Sequence, residues 1–359
     1  MGDWDKIRDE IDLLDKDILK LLNMRARRVM EAGRVEQTGA GSLFSSLRPA
    51  RIGRGLLKEN RGPLPEAALK YLFGEIDGAC LNITAPLKVA VLGPEGSFCH
   101  QAAARYFGAS SQFRPLPSIV DVFAELDRDY CHVGVVPVEN SSECETDSTL
   151  DQFFISPLKI CGEVYAPSHP ALFSGSESLA AISDIYANPI TLSLCRGWLS
   201  RNLPYARVHE RAGVNAAVDS ILDKPQAAAL GSRLAANLAK LNILAADIAD
   251  QKLGLTRFLV LGRQSPPPSG GDKTSILFTM THKPGFLYEA LGYLRALNLT
   301  RIESRPSLDE SWNYSLFVDM DGHVSDREVD LALQGLSAYA AGFKILGSYP
   351  KGEILAGKE

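Results

Sequence analysis

Residues 264–272 read Gln-Ser-Pro-Pro-Pro-Ser-Gly-Gly-Asp. Three consecutive prolines remove three backbone donors and two glycines add conformational freedom, so neither a helix nor a sheet ladder runs through this stretch. Whatever the chain folds into must be divided here, by a linker that permits rotation of the C-terminal residues beyond it. A second divide is quieter. Up to residue 84 the apolar residues recur at helical spacing, and from Leu87 onward they come in short β-branched runs.

Before the second divide, Ile7, Ile11, Leu14, Ile18, Leu21 and Leu22 share one face of a helix predicted over residues 5–35. Glycines and serines within 39–46 end it, and further helices are predicted over 50–59 and 65–81. Strand-like runs then occur at 87–92, 133–138, 159–165 and 258–261, with helical segments between them, which is the pattern of an α/β sheet. Beyond the linker the order is strand (274–280), helix (285–297), two strands (300–304 and 314–320), helix (325–339) and strand (343–346). That β-α-β-β-α-β order predicts a small ferredoxin-like α+β domain. The chain is therefore expected to be multidomain, with domains at 1–86 (all-α), 87–264 (α/β) and 272–351 (α+β), as its 359 residues allow.

Composition excludes several function classes. With a net charge of -5 and no basic stripe interleaved with aromatics, nucleic acid is not expected as a partner. No run of 18 apolar residues is present, so no membrane span is expected. The first seventeen residues are dense in charge and lack the apolar core of a secretory signal, so a cytoplasmic location is expected. Six cysteines and six histidines are scattered without a C-x-x-C or H-E-x-x-H pattern, so no metal, disulfide framework or cofactor is expected.

The candidate site residues come in three groups. Arg8 and Arg25 lie on the first helix, about 25 Å apart at 1.5 Å per residue, too far for one small dianion to bridge. Alone they read as solvated arginines, unless two antiparallel chains bring them together. Their setting, I-x-x-L-D-x-x-I-L-x-L-L-N-x-R over 11–25, resembles the helical chorismate mutase family. The resemblance implies an intertwined helical dimer that binds chorismate, with Arg8 reaching the partner's site, Arg25 serving its own, and Arg51 contributing a third charge. Three positions depart from the family: Glu36 replaces its lysine, Ile52 a glutamate, and Thr84 a glutamine or glutamate. The rearrangement of a dianion needs cationic complementarity, so a carboxylate at 36 predicts weak or absent mutase activity.

In the second group, Gly93-Pro94-Glu95-Gly96-Ser97 turns into a helix and offers backbone N–H groups to an anion, though a plain strand-to-helix turn reads the same way. With Val136-Pro137-Val138-Glu139-Asn140-Ser141, Thr149-Leu150-Asp151 and Thr256-Arg257-Phe258 in this order, the set resembles prephenate dehydratase. That resemblance implies a two-lobed, periplasmic-binding-like α/β domain in which Thr256 is catalytic and Ser97, Asn140, Ser141, Thr149, His169 and Arg257 bind prephenate. Each of the small polar residues reads equally as a cap or turn former. Departures are Cys99 and Cys144, Ala187-Asn188-Pro189 for S-H-P, Ala212-Gly213 for a Ser-Thr pair, and Gly254.

In the third group, Lys283-Pro284-Gly285-Phe286-Leu287-Tyr288 and Asn298-Leu299-Thr300-Arg301-Ile302-Glu303-Ser304-Arg305-Pro306 resemble the two signature segments of an ACT regulatory domain. The resemblance implies that two such domains meet in a homodimer or higher homo-oligomer and bind L-phenylalanine there, through Gly285, Phe286, Leu287, Tyr288, Asn298, Leu299, Glu303, Ser304, Arg305 and Pro306. Together the three resemblances imply the bifunctional chorismate mutase–prephenate dehydratase type. Two alternatives stay open: a prephenate decarboxylase, and a phenylalanine sensor with inactive catalytic sites.

Overall fold

The computed structural model describes residues 3–37, 59–84, 87–140, 147–250, 254–281, 283–306, 314–352 and 354. The chain divides into two compact units: residues 1–87 with 107–112, and residues 88–106 with 113–359.

In the first unit the helical periodicity becomes α1 (Asp3–Gln37) and α2 (Glu66–Thr84). Leu22, Arg25, Ala26 and Val29 of α1 are half-buried. Ile7, Ile11, Leu14, Ile18 and Leu21, the rest of the predicted apolar stripe, are about half exposed or more. Of the helix predicted over 50–59, all but Glu59 lies outside the described residues.

The second unit holds two α/β lobes and a C-terminal α+β domain. Lobe 1 contains β1 (Lys88–Leu92), α3 (Phe98–Phe107), β2 (Gln112–Leu116), α4 (Ile119–Asp127), β3 (Val133–Asn140), α5 (Asp147–Ile155) and β4 (Lys159–Pro167). The chain crosses into lobe 2 for β5 (Ala171–Ser174), β6 (Asp184–Ala187), α6 (Pro189–Asn202), β7 (Arg207–Glu210), α7 (Val214–Asp219), β8 (Ala227–Gly231), α8 (Arg233–Leu238) and β9 (Asn242–Ala245). It returns as β10 (Leu255–Gly262), which inserts between β3 and β4 to give the order β2-β1-β3-β10-β4; the lobe 2 order is β7-β6-β8-β5-β9. The alanine-rich β8 shows tertiary context overriding helix propensity: all five of its residues are buried inside the lobe 2 sheet.

After the linker come β11 (Asp272–Thr279), α9 (Phe286–Tyr293), β12 (Leu299–Pro306), β13 (Tyr314–Asp321), α10 (Arg327–Tyr339) and β14 (Gly342–Pro350), in the sheet order β12-β13-β11-β14. Side chains alternate across these strands. Ile276, Phe278, Leu316 and Val318 pack under α9 and α10, while Leu277, Phe317, Leu346 and Tyr349 join one core with Phe153, Leu158, Ile160 and Leu259 of lobe 1. Burial of each such side chain contributes about 1.5–3 kcal/mol. The rotation expected of the linker is therefore not available without breaking this core. The approach is close at Gly347, where an added Cβ would collide with the carbonyl oxygen of Ile160.

Candidate functional site

Thr256 sits at the start of β10, opposite Asn140 of β3 on one side and Ala166 of β4 on the other. The registers thus bring together the end of Val-Pro-Val-Glu-Asn and the Thr-Arg-Phe segment, more than a hundred residues apart in the chain. Both crossings between the lobes begin or end here. At this point the Thr256 hydroxyl meets the Ser168 hydroxyl at 2.9 Å, and the Ser168 N–H donates to the carbonyl of Gly254 at 3.0 Å. Ser168 was missed by sequence reasoning; its only signal was its place just before His169. The His169 ring nitrogen Nδ1 lies 3.3 Å from a carboxylate oxygen of Asp247.

Gly93 and Gly96 both have positive φ, of 88° and 76°, which an L side chain rarely adopts. A Cβ at Gly96 would come within 2.8 Å of Ala235 in lobe 2, and Ser232 donates to the Gly96 carbonyl at 2.5 Å, so this turn is where lobe 2 approaches lobe 1. Ser97 caps α3: its hydroxyl donates to the Leu92 carbonyl at 3.0 Å and accepts from the His100 N–H at 3.1 Å. Its proton is thus committed, and towards a ligand it retains only acceptor capacity. Burial pushes the Cys99 thiol up to about 12, so it remains protonated at neutral pH and serves as core rather than nucleophile.

Two expectations for prephenate binding need correction. Thr149 is fully buried and its hydroxyl donates to the Pro137 carbonyl at 2.6 Å, fastening α5 to β3. Arg257 follows Thr256 on the same strand, so the two side chains leave opposite faces of the sheet. Its guanidinium, 4% exposed, lies 2.7 Å from Glu163, 2.6 Å from Asp319 and 3.1 Å from the Tyr349 hydroxyl. Burial opposes this charge, but Asp319, Tyr349 and Glu163 override it and raise Arg257 well above its ordinary value. Burial likewise works to raise Asp319, yet Arg257 and the Ser275 hydrogen bond hold it below the usual carboxylate range. Ser141 and Cys144 lie outside the described residues, as does the side chain of Asn140.

The C-terminal segments separate by the same alternation. On β12 the odd-numbered residues are half-buried and the even-numbered ones exposed. Arg305 reaches Asp151 at 2.9 Å and Arg301 pairs with Glu303, so Glu303 and Arg305 face lobe 1 rather than an open effector surface. Phe286 is buried in the helix layer, its ring 4.8 Å from that of Tyr339, and offers nothing to a ligand. Gly285 (φ 82°) opens α9, with Leu287 and Tyr288 exposed. Asn298 donates to Asp321 at 2.9 Å, and Leu299 is half-buried. Ser304 and Pro306 lie on the exposed side with Ile302.

In the helical unit Arg8 is exposed. Arg25 is half-buried and pairs with Asp77 of α2, a partner that no local pattern announces. Burial raises Asp77 above its ordinary value even though Arg25 pulls it down. The other guanidinium nitrogen of Arg25, Nη1, is buried without a hydrogen-bond partner among the described residues. Arg51, Ile52 and the side chains of Glu36 and Thr84 lie outside the described residues.

Comparison with known proteins matches both halves of this arrangement. The prephenate dehydratase family matches residues 89–266 and chorismate mutase type II matches residues 7–84. A bifunctional chorismate mutase/prephenate dehydratase from Aquifex aeolicus is 40% identical over 98% of this chain and 99% of its own length. One from Stutzerimonas stutzeri is 38% identical over 96% of this chain and 97% of its own. Among solved structures, a prephenate dehydratase from Arthrobacter aurescens in complex with L-Phe superposes with a TM-score of 0.67 at 31% identity, covering 74% of this chain and 90% of that one.

Proposed function

Because the chain belongs to the bifunctional chorismate mutase/prephenate dehydratase family, we propose that it converts prephenate to phenylpyruvate, CO2 and water at Thr256, and that its helical unit forms prephenate from chorismate. The observation carrying the first reaction is the paired Thr256 and Ser168 hydroxyls at the junction of the lobes. In the reaction the bond between the ring and its carboxylate breaks, the electron pair enters the ring, and the ring hydroxyl departs with a proton. Thr256 donates a hydrogen bond to that leaving oxygen, while Ser168 fixes which way the Thr256 proton points. Aromatisation supplies the driving force. His169, Asn140 and the Gly93–Ser97 turn remain to hold the substrate, with Ser97 as acceptor only; Ser141 joins them by resemblance.

For chorismate, Arg8 and Arg25 act from two chains paired through the exposed apolar stripe of α1. The C-terminal domain is read as an ACT domain that binds L-phenylalanine, as the Arthrobacter protein does, where two copies meet beside β12. Gly285, Leu287, Tyr288, Asn298, Leu299, Ser304 and Pro306 are the residues left to contact the amino acid. Purified protein mixed with prephenate should yield phenylpyruvate, and Thr256→Ala should lower kcat about 10²–10⁴-fold. Decarboxylation without loss of the hydroxyl, or no reaction at all, would replace this reading with one of its two alternatives. Unchanged turnover in the variant would remove Thr256 from the mechanism.

A further inference from the structure

Three of the dehydratase motif segments are held from one side by the C-terminal sheet. Thr149-Leu150-Asp151 is held by Arg305, which reaches the Asp151 carboxylate at 2.9 and 3.1 Å. The Val136–Asn140 strand end is held by Arg301, whose guanidinium donates to the Val138 carbonyl at 3.2 Å. Thr256-Arg257-Phe258 is held by a closed ring of hydrogen bonds. Arg257 donates to Asp319 at 2.6 Å and to the Tyr349 hydroxyl at 3.1 Å. Tyr349 and Ser275 share a hydrogen bond of 2.6 Å, and Ser275 donates back to Asp319 at 2.5 Å. Beside the ring, Glu163 bridges Arg257 to Lys273, 2.9 Å away at the start of β11. Each charged member is less than a tenth exposed, so water does not substitute for any of these partners.

We infer that Arg257 is a positioning residue for the dehydratase reaction: it locks the strand carrying Thr256 to the C-terminal sheet, so that the placement of this sheet sets where the reacting hydroxyl stands. The inference rests on the assignment of Thr256 above. Its physical basis is that Arg257 and Thr256 are adjacent on one strand, so with the guanidinium fixed by Glu163, Asp319 and Tyr349 a shift of the C-terminal sheet is passed to the backbone that carries the Thr256 hydroxyl. A catalytic group displaced by about 1 Å loses on the order of 10²-fold in rate. The same link gives a ligand of the C-terminal domain a direct route to the catalytic strand, without any motion of the linker.

The test is a double-mutant cycle in the full-length chain on prephenate. Asp319→Asn keeps the shape of the ring and removes its charge. It should lower kcat about 10-fold or more with KM within about twofold, because no substrate-holding group is altered. Combined with Thr256→Ala, it should cost little beyond Thr256→Ala alone, since it acts through Thr256. If Asp319→Asn fails to fold, Tyr349→Phe removes one link, leaves every charge paired, and carries the same cycle. Arg257→Lys should not rescue the function, because one ammonium cannot reproduce the two-sided fork. Additive losses, or a raised KM at unchanged kcat, would overturn the positioning role while leaving Thr256 catalytic. Full activity of Thr256→Ala would take down both.

Discussion

Replacing Asp77 by asparagine tests how the mutase half handles chorismate. Asp77 occupies Arg25, the arginine read as binding the substrate in its own subunit, so a substrate carboxylate must first displace a protein carboxylate. Two unit charges about 4 Å apart attract by about 1 kcal/mol in water and about 4 kcal/mol at an effective dielectric of 20. The side chains are 28% and 13% exposed, which places this pair between those limits. Displacement breaks this attraction while Asp77 stays half-buried where it is, a barrier of about 1–3 kcal/mol, or roughly 5–150-fold in apparent affinity. Asp77→Asn should therefore lower KM for chorismate by that factor without lowering kcat, as read from initial rates of chorismate loss. Glu36 stays native in both proteins, so the comparison isolates residue 77. Stability gives an independent sign. Burial raises Asp77 in the folded state; the stabilisation from holding its proton is present below about pH 4 and is lost as pH rises through the raised value. At neutral pH the charged form is a net cost, so Asp77→Asn should unfold at the same or a higher temperature. An unchanged KM together with a lower melting temperature would refute the argument and make the pair a structural tie between α1 and α2.

Asp319 is depressed by Arg257, so its contribution to the docking of the C-terminal domain is present above the ordinary aspartate range of about pH 4 and is lost as pH falls below it. Thermal unfolding followed downward from pH 6 should show a stability loss setting in below about pH 4 that is blunted in Asp319→Asn; identical acid profiles would contradict this. Phenylalanine titrated calorimetrically into the intact chain should bind, and Ile302→Asp should abolish that binding, while chains paired through α1 still sediment as a dimer. Ile302 is 49% exposed on the strand edge, so the fold should survive the change; undiminished phenylalanine binding by this variant would move the effector site elsewhere. Truncation after the linker is a poor substitute, because it strips Leu277, Phe317, Leu346 and Tyr349 from the core shared with lobe 1.

Local pattern carried much of the architecture. The 3.6-residue spacing of Ile7, Ile11, Leu14 and Ile18 determined α1, and the strand and helix order after the linker determined the C-terminal topology. The ordered motifs from Gly93 to Phe258 pointed to the family that the comparisons then supplied. These are properties of neighbouring residues, and sequence records neighbours. What the tertiary structure alone decided is what each motif residue faces. Alternation along β10 guarantees that Thr256 and Arg257 diverge, but which side meets the other lobe and which meets Asp319 depends on packing by a strand 62 residues further on. Ser97 and Thr149 became a cap and a fastener because carbonyls at Leu92 and Pro137 came within reach. Ser168 became the partner of Thr256 across 88 residues, and Arg305 turned to Asp151 across 154. Hydrogen bonds and ion pairs need groups within about 3 Å, and only the folded chain brings residues so distant in sequence that close.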